Sequence, residues 1–200
     1  LAMAHDFIID RQVGRRALVG STEANQPVIE GSYERLLDLL QAHLSGHDFW
    51  LGDRPGRGDF ALFGQLRPLL WWDPTPMAIA VERSPRSLNW IERVDDLSWW
   101  PVEGDSGWAD VATLAPTVHE LLTEIGRTYA PFMVANDAAL DDGADEVVCE
   151  IDRHEYRQAP FRYQGKCLGW IREGHDALDG PSRATVDSVL AGTGCEQLFG

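Results

Sequence analysis

Two helices and the short loop between them constrain the fold of this 200-residue chain more than any other part of its sequence. The first helix is predicted from about Val28 to Leu44, where apolar side chains recur at three- and four-residue steps and form one apolar face. The second follows the phrase FWLGDRPGRGD and is apolar on nearly all sides, which is typical of a helix buried in the centre of a bundle. The pair predicts a helical domain with a buried central helix.

The second of these helices has a recognisable start. Asp59 stands three residues after Gly56, which is the spacing of a capping box, where an acidic side chain accepts a hydrogen bond from the free N–H of the N-cap residue. Glycine is a tolerated N-cap without a side-chain acceptor, so this start should be weaker by a few tenths to about 1 kcal/mol than one capped by serine. Gly56 and Asp59 are therefore predicted to be structural residues.

The phrase FWLGDRPGRGDFALFGQL resembles the centre of the all-helical C-terminal domain of glutathione S-transferases, where a long helix, an aromatic-Leu-Gly-Asp turn and a capped, buried helix follow one another. The box of that family normally begins with Ser or Thr, and Gly56 departs from the pattern. The resemblance extends over about Phe7 to Leu97. From Trp108 onward, EIGRTYAPFMVANDAAL and QAPFRYQGKCLGW are similar to the C-terminal extension of a bacterial transferase-like group with longer chains.

The expected fold is mainly α. Residues 1–100 are predicted to form a glutathione S-transferase C-terminal-like helical bundle, and residues 101–200 a helical extension with a β-hairpin near 146–161, where apolar and polar residues alternate. The break between them falls in WWPVEGDSGW, where proline, glycine and acidic residues interrupt the helical pattern. The other predicted elements are helices over 4–19, 84–97, 111–130, 131–140, 163–178 and 182–190, and a loop over 71–76.

Composition and charge exclude several classes of function. The formal net charge of −15 opposes a phosphate backbone, so no nucleic-acid partner is expected. No apolar run approaches the roughly 20 residues of a membrane-spanning helix, and no signal peptide opens the chain. The expectation is a cytoplasmic protein with no membrane partner.

Metal-binding and disulfide patterns are not found in the sequence. Cys149, Cys167 and Cys195 are an odd number of widely spaced cysteines, which favours reduced thiols over a zinc site or a disulfide framework. His43 and His47 have the spacing of two ligands on one helix face, but Ser-Gly between them ends the helix and no HExxH glutamate is present. No metal is expected.

The resemblance also implies how the chemistry is divided in the family. An N-terminal thioredoxin-like domain binds glutathione and supplies the Ser, Tyr or Cys that activates its sulfur, while the helical domain supplies most of the pocket for the electrophile. The 200 residues show no pattern of such a domain, so no catalytic residue carries over. Glutathione is implied as the cofactor only together with that domain, and this segment alone is expected to be inactive.

Three residues are candidates for contacts with the second substrate. Arg11 and Arg67 could face a cleft and steer an anionic ligand, and Trp71 belongs to one of two tryptophan pairs that stand beside loops. The alternatives are that the arginines are solvated on helix surfaces and that the tryptophans seal gaps between helices. The sequence leaves both interpretations open.

Two hypotheses for function follow. In the first, the chain is the C-terminal part of a glutathione S-transferase-like protein and contributes the electrophile-side pocket for conjugation or glutathione-dependent reduction. Its partners would be a small-molecule electrophile and, as the resemblance suggests, a second copy in a homodimer. In the second, the segment is a non-catalytic transferase-like binding or scaffolding domain. A thioredoxin-like domain in the same protein would favour the first hypothesis.

Overall fold

The computed structural model describes residues 2–98, 100–101 and 103–200, with the side chains of residues 2–4 excepted. Within these ranges it is mainly helical with one two-stranded antiparallel hairpin, which confirms the predicted fold class. The helices are α1 Ala2–Arg15, α2 Gln26–His43, α3 Arg57–Trp71, α4 Pro74–Arg83, α5 Pro85–Asp95, α6 Pro116–Asp142, α7 Arg162–Asp176 and α8 Gly180–Leu190, and the strands are β1 Val147–Ile151 and β2 His154–Gln158.

The chain divides into two compact units. The first unit comprises Leu1–Ser32 and Leu122–Gly200, and the second comprises Tyr33–Leu121, so α2 and α6 each contribute residues to both. The division near residue 100 that composition favours stays a prediction, and two residues of the predicted break, Trp99 and Val102, lie outside the described residues.

The core of the second unit is built from α2, the following loop, α3, α4 and α5. Its most deeply buried apolar side chains, all below 2% exposed, are Leu37, Leu40, Phe49, Leu70 and Ile91, joined by Leu66, Ala80 and Trp90. Helix α3 buries one face into this core, but Phe60 is 50% exposed, so the prediction that α3 is buried on nearly all sides is wrong there. Helix α3 therefore carries more apolar surface than its neighbouring elements cover.

Helix α4 replaces the second half of the loop predicted at residues 71–76. The Asp73 side chain accepts a hydrogen bond from the Thr75 N–H at 3.1 Å, and Pro74 occupies the first helical position, where its missing N–H has no cost. The loop prediction was wrong because Asp-Pro before an apolar run starts a helix as readily as it forms a turn.

Helix α6 is continuous, whereas the sequence predicts one helix over 111–130, with an interruption at Pro116 or Gly126 left open, and a separate helix from Pro131. Pro116 is its first residue, and the helix passes through the other two positions. Ala130 and Met133 on either side of Pro131 are fully buried, so tertiary packing outweighs the lost hydrogen bond. Gly126 is required by packing, since a Cβ there would overlap the Thr193 carbonyl of the same unit.

The hairpin has the predicted alternation. Val147 pairs with Gln158, Cys149 with Tyr156 and Ile151 with His154, and the turn residues Asp152 and Arg153 have φ of 50° and 65°. Both turn residues are therefore in the left-handed region that a two-residue hairpin loop requires. The inward side chains of Val147, Ile151 and Tyr156 are buried in the core of the first unit.

A buried asparagine closes the outer edge of β2. The Asn25 side chain donates to the Arg157 carbonyl at 2.8 Å, accepts from the Arg157 N–H at 3.2 Å and donates to the Gly20 carbonyl at 2.8 Å. It thus forms the two hydrogen bonds that a third strand would form at this position. This contact fixes the start of α2 against the hairpin within the first unit.

The search for transmembrane helices covered only the residues that the structure describes. None of those helices combines the length and the apolar character that crossing a bilayer requires.

Candidate functional site

The start of α3 is organised by the carboxylate of Asp59. Gly56 is the N-cap residue, and its N–H donates to Asp59 Oδ2 at 2.9 Å. The second oxygen, Oδ1, accepts from the Trp50 N–H at 3.1 Å. Asp59 is only 1% exposed, so one buried side chain joins the helix start to the loop that follows α2.

Burial and hydrogen bonding act on the Asp59 carboxyl in opposite directions. Burial raises its pKa above the ordinary value, while the N–H groups of Gly56 and Trp50 stabilise the ionised form and limit the rise. Each oxygen of the carboxylate accepts a hydrogen bond from a backbone N–H. Its role is therefore structural, and it offers no free oxygen for acid or base chemistry.

The loop before α3 is held by residues near position 107. Gly52 has φ of 131°, and a Cβ there would overlap the Gly107 carbonyl. The Asp53 N–H donates to that same carbonyl at 2.7 Å. The Arg54 guanidinium lies 4.6 Å from the centroid of the Trp108 ring, a cation–π distance. The Gly-Asp-Arg turn thus serves packing within the second unit.

His43 joins three segments of the second unit. Its Nε2 lies 3.0 Å from the Phe49 carbonyl, its Nδ1 lies 2.7 Å from Thr117 Oγ1, and its ring stacks on Trp50 with centroids 4.1 Å apart. Because a carbonyl only accepts, Nε2 carries the proton and Nδ1 accepts from the threonine hydroxyl. Burial lowers the pKa of His43, so the ring is neutral at physiological pH. Both ring nitrogens are engaged in hydrogen bonds within the second unit.

One pocket brings together two of the predicted substrate contacts. It lies between α3 and α5, has a volume of about 190 Å³, and is named the α3–α5 pocket; its lining residues are Arg67, Trp71, Ile91, Glu92 and Asp95. The guanidinium of Arg67 forms an ion pair with Asp95 and lies 5.7 Å from the centroid of the Trp71 ring. The Trp71 side chain remains 44% exposed. The pocket therefore presents an indole surface beside an ion pair.

The charges of the α3–α5 pocket determine which ligand it suits. The positive charge of Arg67 is paired with the carboxylate of Asp95, and Glu92 adds a second carboxylate to the lining of the pocket. An anionic ligand would meet two negative groups for one positive group, so the pocket disfavours anions. The exposed Trp71 ring suits a flat, neutral ligand.

Comparison with known proteins gives a family match for part of the chain. A model of the glutathione S-transferase C-terminal domain matches residues 16–93. The match supports a domain of the glutathione S-transferase C-terminal type over these residues. The matched segment covers less than half of the chain and contains α2, α3, α4 and most of α5. Searches of curated proteins and of solved structures give no match.

The transferase-type domain holds Arg67 and Trp71 but not the third predicted contact. Arg11 is an exposed residue of α1 in the first unit, before the family match begins. Of the tryptophan pairs, Trp72 is exposed like its neighbour, and Trp99 lies outside the described residues. Trp50 and Trp90 are core residues of the second unit. The structure thus brings two of the three predicted contact residues together.

The three cysteines are free thiols. Burial raises the pKa of the Cys149 and Cys195 thiols, and the Cys195 thiol donates to the Leu122 carbonyl at 3.1 Å. A raised pKa lowers the fraction of reactive thiolate. Next to Cys167 on α7, Leu168 is buried, whereas Trp170 is largely exposed. The described His, Cys, Asp and Glu residues form no group of three that could hold a metal ion.

Sequence reasoning missed a second concavity, in the first unit. It is an apolar groove of about 240 Å³ between the start of α2, the middle of α6 and the hairpin; its lining residues are Val28, Ile29, Ser32, Thr128, Tyr129, Phe132, Ile151 and Tyr156. These side chains come from three segments far apart in the chain. No local motif marks them, and only the tertiary fold brings them together.

Asp59→Ala should lower the free energy of unfolding by about 2 kcal/mol or more, because it leaves two buried backbone N–H groups without acceptors. Urea denaturation measures the loss. The control is Asp73→Ala at the exposed start of α4, which should cost about 1 kcal/mol or less. Equal losses of unfolding free energy in the two variants would show that Asp59 contributes no more than an exposed helix cap.

Acidification should weaken the second unit through His43. Since the folded state lowers the pKa of His43, the stability that it contributes is present above its unfolded pKa, near 6.5, and is lost as the pH falls through the folded pKa. The destabilisation caused by His43→Gln should therefore be smaller at pH 5 than at pH 7.5. His154→Gln, at the exposed hairpin turn, is the control. A His43→Gln penalty that is the same at both pH values would contradict the assignment.

Proposed function

We propose that this chain is the C-terminal part of a glutathione S-transferase-like protein and that the α3–α5 pocket contacts the electrophile. The observation that supports the proposal is the position of the pocket: Arg67, Trp71, Ile91 and Glu92 all lie inside residues 16–93, which match the family. Glutathione would be held by a thioredoxin-like domain. A small-molecule electrophile and a second copy of the chain are the proposed partners.

The chemistry proposed is attack of the glutathione thiolate on the electrophile, or reduction at the expense of glutathione. In conjugation, a carbon–sulfur bond forms and the leaving group departs with the bonding electron pair. The residues of the α3–α5 pocket would position the electrophile, with the Trp71 ring against its flat face and the Arg67–Asp95 ion pair at its edge. The thiolate itself would be stabilised by residues outside this segment.

The pocket assignment predicts ligand binding without glutathione. Titration with 1-chloro-2,4-dinitrobenzene, a flat neutral aryl halide, should shift the Trp71 indole N–H resonance in a saturable manner. Trp71→Ala should weaken binding by about fivefold or more, the effect of losing one aromatic contact of about 1 kcal/mol. Binding is measured by nuclear magnetic resonance on the 200-residue chain.

The matched control for that titration is Trp170→Ala, which removes an exposed tryptophan of α7 in the first unit. Its affinity for the aryl halide should equal that of the unmodified chain. The α3–α5 pocket would not be the electrophile site if the Trp71 resonance does not shift, or if both variants lose the same affinity for the aryl halide.

The 200-residue chain by itself should not conjugate glutathione to the aryl halide above the uncatalysed rate. The thiolate-stabilising group is assigned to the thioredoxin-like domain, and burial raises the pKa of the Cys149 and Cys195 thiols. The absorbance of the conjugate measures the rate. Clear turnover would show that this segment activates the thiol, and the division of roles would be wrong.

A non-catalytic binding or scaffolding role is the second candidate. The observation that favours it is α1, where Phe7, Ile8 and Val13 are each more than half exposed. Exposed apolar side chains on one helix are typical of a surface that another molecule covers. Fusion of the chain to a thioredoxin-like domain separates the candidates, because only the transferase proposal predicts conjugation by the fused protein.

A further inference from the structure

The apolar groove of the first unit is a concave surface that the transferase proposal does not use. Helix α2 contributes Val28, Ile29 and Ser32, helix α6 contributes Thr128, Tyr129 and Phe132, and the hairpin contributes Ile151 and Tyr156. Five of the eight lining residues lie outside residues 16–93. The groove therefore depends on the part of the chain that the family model does not cover.

The floor of the groove is formed by buried core side chains. Val28, Phe132, Ile151 and Tyr156 belong to the buried core cluster of the first unit. The rings of Phe132 and Tyr156 pack edge to face, with centroids 5.7 Å apart and an interplanar angle of 71°. Because these side chains are held by the core, the floor needs no rearrangement to receive a ligand.

The rim of the groove is apolar and open. Ile29 is 38% exposed and Tyr129 is 37% exposed, and they stand on α2 and α6, two of the three elements that surround the groove. All eight lining side chains are uncharged. A ligand in the groove would cover apolar surface without placing a charge against carboxylates, although the chain as a whole carries a net charge of −15.

The hydroxyl groups of the groove point to the polar character of the ligand. Ser32 Oγ donates to the Ile29 carbonyl at 2.8 Å, Thr128 Oγ1 donates to the Glu124 carbonyl at 2.7 Å, and Tyr156 Oη donates to Gln158 Oε1 at 3.1 Å. Each of these hydroxyls uses its only proton in that bond. The oxygens of Ser32 and Thr128 keep acceptor lone pairs for a ligand, whereas the Tyr156 hydroxyl packs against Gly20 and Gln158. The groove therefore offers acceptor oxygens to a ligand that carries a donor.

The fourth hydroxyl, on Tyr129, is neutral. Burial raises the pKa of Tyr129, and it raises the pKa of Tyr156 as well, so neither phenol ionises at physiological pH. Both rings therefore act as uncharged aromatic walls. An anionic ligand would find no cationic partner among the lining residues.

We propose that the groove binds a small, neutral aromatic molecule that carries an N–H or O–H donor. The volume of about 240 Å³ is large enough for one aromatic ring or two fused rings. The aromatic floor supplies stacking and edge contacts, and the hydroxyl oxygens of Ser32 and Thr128 accept from the donor. The site is independent of the α3–α5 pocket.

The test uses the 200-residue chain and indole, a neutral bicyclic aromatic with one N–H donor. Titration should shift the methyl resonances of Ile29 and Ile151 in a saturable manner. Indole should bind about fivefold more tightly than 1-methylindole, the effect of one hydrogen bond. In the double variant Ser32→Ala/Thr128→Val, that preference should fall below about twofold, because both acceptors are gone.

Filling the groove should block it. Ser32→Phe places a ring in the groove and should weaken indole binding by about tenfold or more. The matched control is Ser45→Phe, since Ser45 Oγ makes the same kind of bond, to the Ala42 carbonyl at 2.7 Å, and lies outside the groove. Thermal melting checks that both variants fold. If Ser32→Phe does not fold, Ile29→Ser, which removes one wall, should weaken binding by about fivefold.

Several results would overturn the proposal. Indole that produces no saturable shift, shifts confined to residues outside the groove, or equal affinity in Ser32→Phe and Ser45→Phe would show that the groove is not the site. Equal affinity for indole and 1-methylindole would show that the ligand needs no N–H or O–H donor, contrary to the proposal. Ile29 and Ile151 report binding in the groove, whereas the Trp71 indole N–H reports binding in the α3–α5 pocket, so failure of one site and failure of the other are separate outcomes.

Discussion

The buried carboxylate of Asp59 is the interaction on which the second unit depends. It satisfies the Gly56 N–H at the start of α3 and the Trp50 N–H in the preceding loop, two donors that would otherwise be buried without partners. Each unmet buried donor costs about 1–3 kcal/mol, a large share of the stability of an ordinary domain. Arg67 and Trp71 lie two to three turns further along α3, so the capped start sets which face of the helix they occupy.

Buried polar side chains have the same role throughout the structure. His43 joins the end of α2, the following loop and the start of α6 in the second unit, and Asn25 completes the outer edge of β2 in the first. In each case a side chain bonds groups that the regular helices and strands leave unpaired. Such bonds are directional, so they select one arrangement among many that would bury similar apolar area.

The sequence predicts what depends on local spacing. The three-residue interval from Gly56 to Asp59 marks the helix start, and the alternation in VVCEI marks the hairpin. It does not predict α6 running through Pro131, because burial of the flanking residues outweighs local propensity. Nor does it predict the ion pair of Arg67 with Asp95 or the apolar groove, whose members meet only in the folded chain.

Four of the five residues that line the α3–α5 pocket lie within the segment that matches the family, whereas five of the eight that line the groove lie outside it. The central claim is that the Asp59 carboxylate locks the loop to α3. Hydrogen exchange of the Gly56 and Trp50 amides tests it directly. Both amides should exchange only through global unfolding of the chain, as the core amides of α3 do. Exchange at the rate of an exposed loop would contradict the account.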